Sequence, residues 1–180
     1  KQKYFFKLAL LFFLCTGLSY GQTTTTYDFS SGSAVTGLNE TSPGISIDAN
    51  IGFGSFKNSG SSNPAIYSGQ LRLYQHATKG GSIKVYANNG VTITQVVVRA
   101  SSKTGPAGFD ADGVFQSNLS GGSTYTMSSL SATSSIEFYQ RGSGSSNRIY
   151  VDEIEITYTS GGAATPGISL GSVSGNTNES

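Results

Sequence analysis

From Gln22 to Tyr158 the apolar residues recur at every second position, in short runs separated by Gly, Ser and Asn. That period places side chains on alternate faces of a strand, and nothing in this region carries the 3.6-residue period of an amphipathic helix. "TTTYDFSS" reads as a first strand. "GISIDANIGF" puts Ile45, Ile47, Ala49, Ile51 and Phe53 on one face, "QLRLYQH" groups Leu71 with Leu73, and "SIKVYA" groups Ile83, Val85 and Ala87. "ANNG" then supplies an Asn-Gly turn, the strongest short hairpin signal. With "VTITQVVVRAS", "STYTMSSL", "SIEFYQ" and the closing "NRIYVDEIEITY", the chain has about eight strands and no helical interruption. The expected fold is all-β, an antiparallel two-sheet β-sandwich of jelly-roll type.

Two strands break the period. In "VTITQVVVRAS", Val91 and Ile93 share one parity while Val96, Val98 and Ala100 share the other. A slip of one residue near Gln95, such as a β-bulge makes, turns both sets inward. In "NRIYVDEIEITY", strict alternation groups Asp152 with Tyr150, Ile154, Ile156 and Tyr158. A bare carboxylate on an apolar face costs several kcal/mol unless it is paired or metal-bound. Three arrangements avoid that cost. A bulge at Asp152–Glu153 turns Ile149 and Val151 inward, then Ile154 and Ile156, with both acids outside. A cation such as Arg148 or Arg141 pairs with Asp152. A Ca²⁺ binds it together with backbone carbonyls and a second acid, for which Asp28 is a candidate. The bulge explains most, because both flanking apolar pairs then reach the core.

The chain opens "KQKYFFKLALLFFLCTGLSYGQ". Lys1, Lys3 and Lys7 precede a continuous apolar run from Leu8 to Leu14, and small residues follow. This is the pattern of a secretory signal peptide with its helix, spanning 1–21 and cleaved near Gly21–Gln22. The run is far shorter than the ~20 residues of a membrane span, so no transmembrane anchor is expected in the mature chain. Cys15, the one cysteine, lies in this leader, so a secreted mature chain is held by its core and not by disulfides. Phe13 and Leu14 before it do not suit a lipoprotein signal. Three of the 11 basic residues belong to the leader, leaving 8 against 10 acidic ones and a balance near −2. No basic run is present, and nucleic acid is therefore not an expected partner.

Few residues could carry catalysis. His76 is the only histidine, and there is no GxSxG elbow. A serine triad or a zinc site thus lacks its partners, and these residues are expected to be non-catalytic. "GFDADG" places Asp110 and Asp112 on a glycine-flanked loop. The twelfth position from Asp110 is Gly121, so it is no EF-hand. The two acids either grip Ca²⁺ weakly or bond backbone in a turn. Tyr67, Tyr74, Tyr86 and Tyr139 fall on or near polar strand faces. Such rings either stack on sugars or pair across strands.

"LRLYQHATKGGSIKVYANNGVTITQVVVRASS" followed by "STYTMSSLSATSSIEFYQRGSGSSNRIYVDEIEITY" resembles a β-sandwich module of secreted, multidomain Bacteroidota surface proteins. In that module a "GYTITKVVF"-type strand precedes an "ATSSVTFT"-type strand and a closing "RIYIDDIEVTY"-type strand. The resemblance covers about Tyr27 to Tyr158. It implies an architecture similar to galactose-binding-like and carbohydrate-binding jelly rolls, in many of which an Asp of a closing "VDDI" strand ligates a structural Ca²⁺. Asp152 matches that position, while Glu153 departs from it. The expected organisation is a signal peptide over 1–21, a sandwich over 22–158, a Gly/Pro/Ala linker over 159–167 and, over 168–180, the start of a second module resembling an Ig-like or Calx-beta-like repeat. The expected function is an extracellular module that binds glycan or a cell-surface polymer, or spaces its neighbours. The alternatives are an accessory of a secreted hydrolase or nuclease whose catalytic domain lies downstream, and a structural adhesin repeat.

Overall fold

A computed structural model describes residues 21–31 and 44–160. The leader up to Tyr20, the linker from 161 and the expected second module lie outside the described residues. Twelve strands follow in chain order: β1 (Gln22–Asp28), β2 (Ile45–Ser46), β3 (Ile51–Phe56), β4 (Ala65–Tyr67), β5 (Gln70–Leu73), β6 (Ser82–Ala87), β7 (Thr92–Thr104), β8 (Ala107–Ala111), β9 (Val114–Leu119), β10 (Thr124–Met127), β11 (Ser135–Gln140) and β12 (Ile149–Thr159). Among the described residues the only helical pieces are two single 3-10 turns, Phe29–Ser31 and Ser145–Asn147. No helix among them is long and apolar enough to cross a membrane.

The strands form two antiparallel sheets. The first runs β10-β7-β12-β5-β4, and the second β2-β3-β6-β11-β8-β9. On the edge of β12 away from β7, β5 pairs over Ile149–Val151 and β1 over Glu153–Thr159. One apolar core lies between the sheets, drawing Leu71, Val98, Ile154 and Ile156 from the first and Ile51, Phe53, Ile83 and Phe138 from the second. Tyr125 and Phe138 meet across it edge to face at 5.1 Å. The expected all-β, two-sheet antiparallel sandwich is therefore what the chain forms.

Both phase breaks are bulges. The β7–β12 register shifts between Thr157 and Tyr158, opposite Gln95 and Ile93, which leaves Thr94 unpaired. Ile93 is thereby buried on one side of the slip and Val96, Val98 and Ala100 on the other. A second shift falls between Val151 and Glu153, with Asp152 as the extra residue. Ile149 and Val151 point inward, then Ile154 and Ile156, all four fully buried. Asp152 and Glu153 are both outside, as the bulge requires.

Several readings need correction. The strand count exceeds eight because β4, β8 and β9 lie in stretches rich in turn residues, and because "GISIDANIGF" is a hairpin. Asp48 Oδ1 accepts the N–H groups of Asn50 and Ile51 at 2.7 and 2.8 Å. That turn folds β2 back on β3, so the alternation across it does not define one face. The Asn-Gly turn exists, with positive φ at Asn89 and Gly90. It joins β6 of the second sheet to β7 of the first, so it is a corner and not a hairpin. The two-residue hairpins are instead Ser68–Gly69 and Asp112–Gly113, each with positive φ at both positions, as hairpin twist demands.

Candidate functional site

The site begins with a repeated local pattern. Arg72-Leu73-Tyr74 runs off the end of β5, and Arg148-Ile149-Tyr150 leads into β12. In both, the central residue is fully buried, so Arg and Tyr project from the outer face. The two strands are antiparallel and Arg72 stands opposite Tyr150. Each arginine therefore meets the tyrosine of the other strand. The Arg72 guanidinium lies 4.8 Å from the Tyr150 ring centroid, and that of Arg148 lies 5.0 Å from Tyr74. Tyr67, carried by the neighbouring hairpin, approaches Arg72 from the other side at 3.5 Å. Its ring is 58% exposed. Lys103 adds a further ammonium 5.8 Å from Tyr150. Such contacts contribute ~0.5–1 kcal/mol each at exposed sites.

Beside this row lies a polar one. Gln70 Nε2 donates to Asp152 Oδ1 at 2.8 Å, Ser101 Oγ donates to the same oxygen at 3.0 Å, and Gln70 also meets Ser101. Asp152 is thus held by neutral donors and not by Arg148 or Arg141. Arg148 Nε donates to Gln75 Oε1 at 2.8 Å, and Arg141 reaches Asn118. The salt bridges of this sheet belong to Arg99, which takes Glu153 at 2.9 Å and Glu155 at 3.2 Å. Tyr150, Arg72, Gln70 and Lys103 were not among the residues expected from sequence. The paired Arg-x-Tyr pattern is the signal for Arg72 and Tyr150, and nothing in the sequence marks Gln70 or Lys103.

The remaining expected residues lie elsewhere. Asp28 stands opposite Glu153, and the hydroxyl and N–H of Ser30 hold its carboxyl below the ordinary range. Asp110 faces outward from the second sheet, where Lys79 bridges it to Glu137 at 2.8 and 2.9 Å. Tyr139 donates to Asp110 at 3.1 Å, and Asn58 to Glu137 at 3.0 Å. Both carboxylates of this cluster thus share one ammonium and each takes a neutral donor as well. Asp112 turns away from it and accepts the N–H groups of Thr133, Ser134 and Ser135. Among the described residues, no three of His, Cys, Asp and Glu gather in one place. Tyr86 and Tyr139 are each only 5% exposed, so neither ring is an open platform. Gly44 crowds the first, and Gly108 and Lys79 the second. His76 Nδ1 is engaged by Thr78 within its own turn. Among the described residues its ring has no hydrogen bond to a carboxylate or a serine.

The Asp112 network predicts an acid effect. Burial pushes its carboxyl up, but the N–H groups of Ser135, Thr133 and Ser134 outweigh that and hold its pKa below the ordinary value. Its contribution is therefore complete above the unfolded value, about 3.9, and lost as pH falls through the folded one. Asp112→Asn keeps a residue that tolerates positive φ. Its unfolding midpoint is expected below that of the wild type near neutrality and to converge with it in acid. A constant gap across a pH series would contradict this role.

No family model matches the chain, and no curated protein matches it in sequence. Among solved structures it is similar to a low-affinity xylan binding module from Roseburia intestinalis, at 14% identity over 58% of this chain and 93% of that one, with a TM-score of 0.39. It is also similar to a CBM36-1 domain of a multidomain xylanase from the hindgut metagenome of Trinervitermes trinervoides, at 14% identity over 81% and 100%, with a TM-score of 0.40. A third likeness is to a family two carbohydrate esterase from Cellvibrio japonicus, at 11% identity over 77% of this chain and 35% of that one, with a TM-score of 0.41. The class assigned here rests on the chain's own sheets: an antiparallel two-sheet β-sandwich with an aromatic and cationic outer face on the first sheet.

Proposed function

We propose that this chain is a non-catalytic, exported module that binds a polysaccharide on the outer face of its first sheet. The observation that carries the reading is the placement of Tyr67 on β4, Tyr74 just past the end of β5 and Tyr150 on β12, interleaved with Arg72 and Arg148. Neighbouring strands lie ~4.8 Å apart, so this face spans about 10 Å across β4 to β12, room for more than one sugar ring. Tyrosine suits such a ligand because it offers an apolar body and a hydroxyl handle. The second sheet's outer face is a weaker candidate, since Asp110 and Glu137 are already held by Lys79 and its tyrosines are covered. A hollow of about 570 Å³ beside the turns at Asp48 and Asn89 is lined by small residues without an aromatic ring. Export is part of the proposal and is supported by the basic and apolar pattern of Lys1 to Gly21.

Affinity electrophoresis of the full chain against a panel of plant, algal and microbial polysaccharides tests the reading. Retardation is expected in at least one gel. Tyr150→Ala is expected to weaken it about tenfold, on the scale of one lost stacking contact and its cation partner. Tyr86→Phe is expected to leave it unchanged. A blank panel would leave a spacer role in place of binding.

A further inference from the structure

Arg72 is a fixed charge with no counter-charge among the described residues. Among the described residues no carboxylate lies within ion-pair distance of it, while Arg99 and Lys79 each hold two. Its Nε is buried and makes no hydrogen bond. Tyr67 at 3.5 Å and Tyr150 at 4.8 Å confine the guanidinium from two sides. With a ring packed on either side and Nε buried, the terminal Nη groups are the edge a ligand would meet. Lys103 and Arg148 extend the positive charge. The hydrogen bond of Lys103 Nζ goes to the Ser145 carbonyl at 3.3 Å, and that of Arg148 to the Gln75 amide. Lys103 itself is an extra residue in β7 held at φ 47, beside a register shift at Ile149/Tyr150. A strained position that aims an ammonium at the same face points to use of that charge. The acids of this sheet gather farther along β12, where Glu153 and Glu155 share Arg99, while Asp152 is bonded by Gln70 and Ser101.

We infer that the polysaccharide recognised by this face is anionic and carries carboxylates, as a uronic acid polymer does. The inference rests on the glycan-binding reading above and narrows it. A neutral sugar would stack on a bare ring, but Arg72 already caps one face of Tyr67. A carboxylate would instead take the paired N–H groups of the guanidinium edge, a planar match that a rigid fork makes and an ammonium does not. Lys103 and Arg148 then meet neighbouring acid groups along the polymer, and Tyr150 borders the ring between them.

The test compares full-length protein on polygalacturonate, neutral galactan and dextran sulfate, in about 50 mM and about 500 mM salt, between which the screening length falls about threefold. Polygalacturonate is expected to bind at least about tenfold more tightly than galactan and to weaken in high salt. Arg72→Gln is expected to lower that affinity about tenfold, the scale of one lost charged hydrogen bond. Arg72→Lys should recover only part of it. Lys103→Gln, at an exposed position, should lower it without touching the packed row. Lys84→Gln, on the other sheet, should leave it intact. Equal binding to galactan and polygalacturonate would overturn the inference and leave the glycan reading standing. Binding to dextran sulfate that matches polygalacturonate, with Arg72→Gln and Lys84→Gln equally weak, would overturn it as unspecific charge attraction. Failure on all three polymers would count against both.

Discussion

Gly105→Ala should lower stability by about 2–5 kcal/mol, the sum expected for an overpacked backbone and a broken buried hydrogen bond. Gly105 and Pro106 carry the chain from β7 in the first sheet to β8 in the second. A Cβ on residue 105 would lie 2.1 Å from the Asn147 carbonyl oxygen and 2.6 Å from its carbon. Those are backbone atoms just before β12 and cannot swing aside. The carbonyl of Gly105 accepts the buried Tyr125 hydroxyl at 2.7 Å, and its N–H donates to Arg148 O at 3.3 Å. A Cβ on residue 121 would be equally close to Thr104 O, at 2.2 Å. Any retreat of residue 105 therefore disturbs β10, β12 and the corner at once. In a domain of this size the unfolding midpoint should drop by roughly 10 °C. Gly122→Ala is the control, because its Cβ would meet nothing nearer than 3.7 Å. Equal midpoints for the two variants would show that the corner is not the constraint described.

Phe53→Ala is expected to cost about 3–5 kcal/mol. Phe53 is fully buried on β3 and lies 4.7 Å from the Tyr27 ring and 5.7 Å from that of Phe29. Tyr27 and Phe29 come from β1 and the turn after it, and so from the first sheet. The three rings are thus the clasp that fastens the first strand over the second sheet. Removing the central ring leaves a cavity whose walls are held by backbone pairing on both sides. Phe53→Leu, which keeps most of the volume, should cost less than half as much. Chemical denaturation of the three proteins decides this. An alanine variant within about 1 kcal/mol of wild type would mean that β1 contributes little to the sandwich.

The two bulges could be read from the chain because apolar phase is a direct record of which side faces the core. Val91 and Ile93 against Val96 and Val98, and Ile149 and Val151 against Ile154 and Ile156, each require one residue of slip. Phase says nothing about partners. Asn89–Gly90 makes the turn its residues demand, but which sheet receives the next strand depends on long-range packing. The alternation from Ile45 to Phe53 passes through a turn made by the Asp48 side chain, and period alone does not register that. "GFDADG" looked like an acidic loop, yet Asp112–Gly113 is the tip of a hairpin and Asp110 is a strand residue facing Lys79. Tyr86 and Tyr139 were placed on outer faces by parity, which is correct. Their burial comes from neighbours such as Gly44 and Lys79 that parity does not see. Nothing within either strand alone marks Arg72 or Tyr150. The reciprocity of "RLY" and "RIY" exists only once the two strands are laid antiparallel.

The central claim is that ligand meets the outer face of the first sheet at the Arg72–Tyr150 row. Backbone and side-chain NMR shifts of the full chain, titrated with a short oligogalacturonate, test it most directly. The account predicts changes confined to residues 67–75, 101–104 and 148–152, including the Arg72 Nε–H signal. Changes gathered instead at Lys84, Tyr86, Asp110 and Glu137 on the second sheet, or around Asp48 and Asn89, would contradict it.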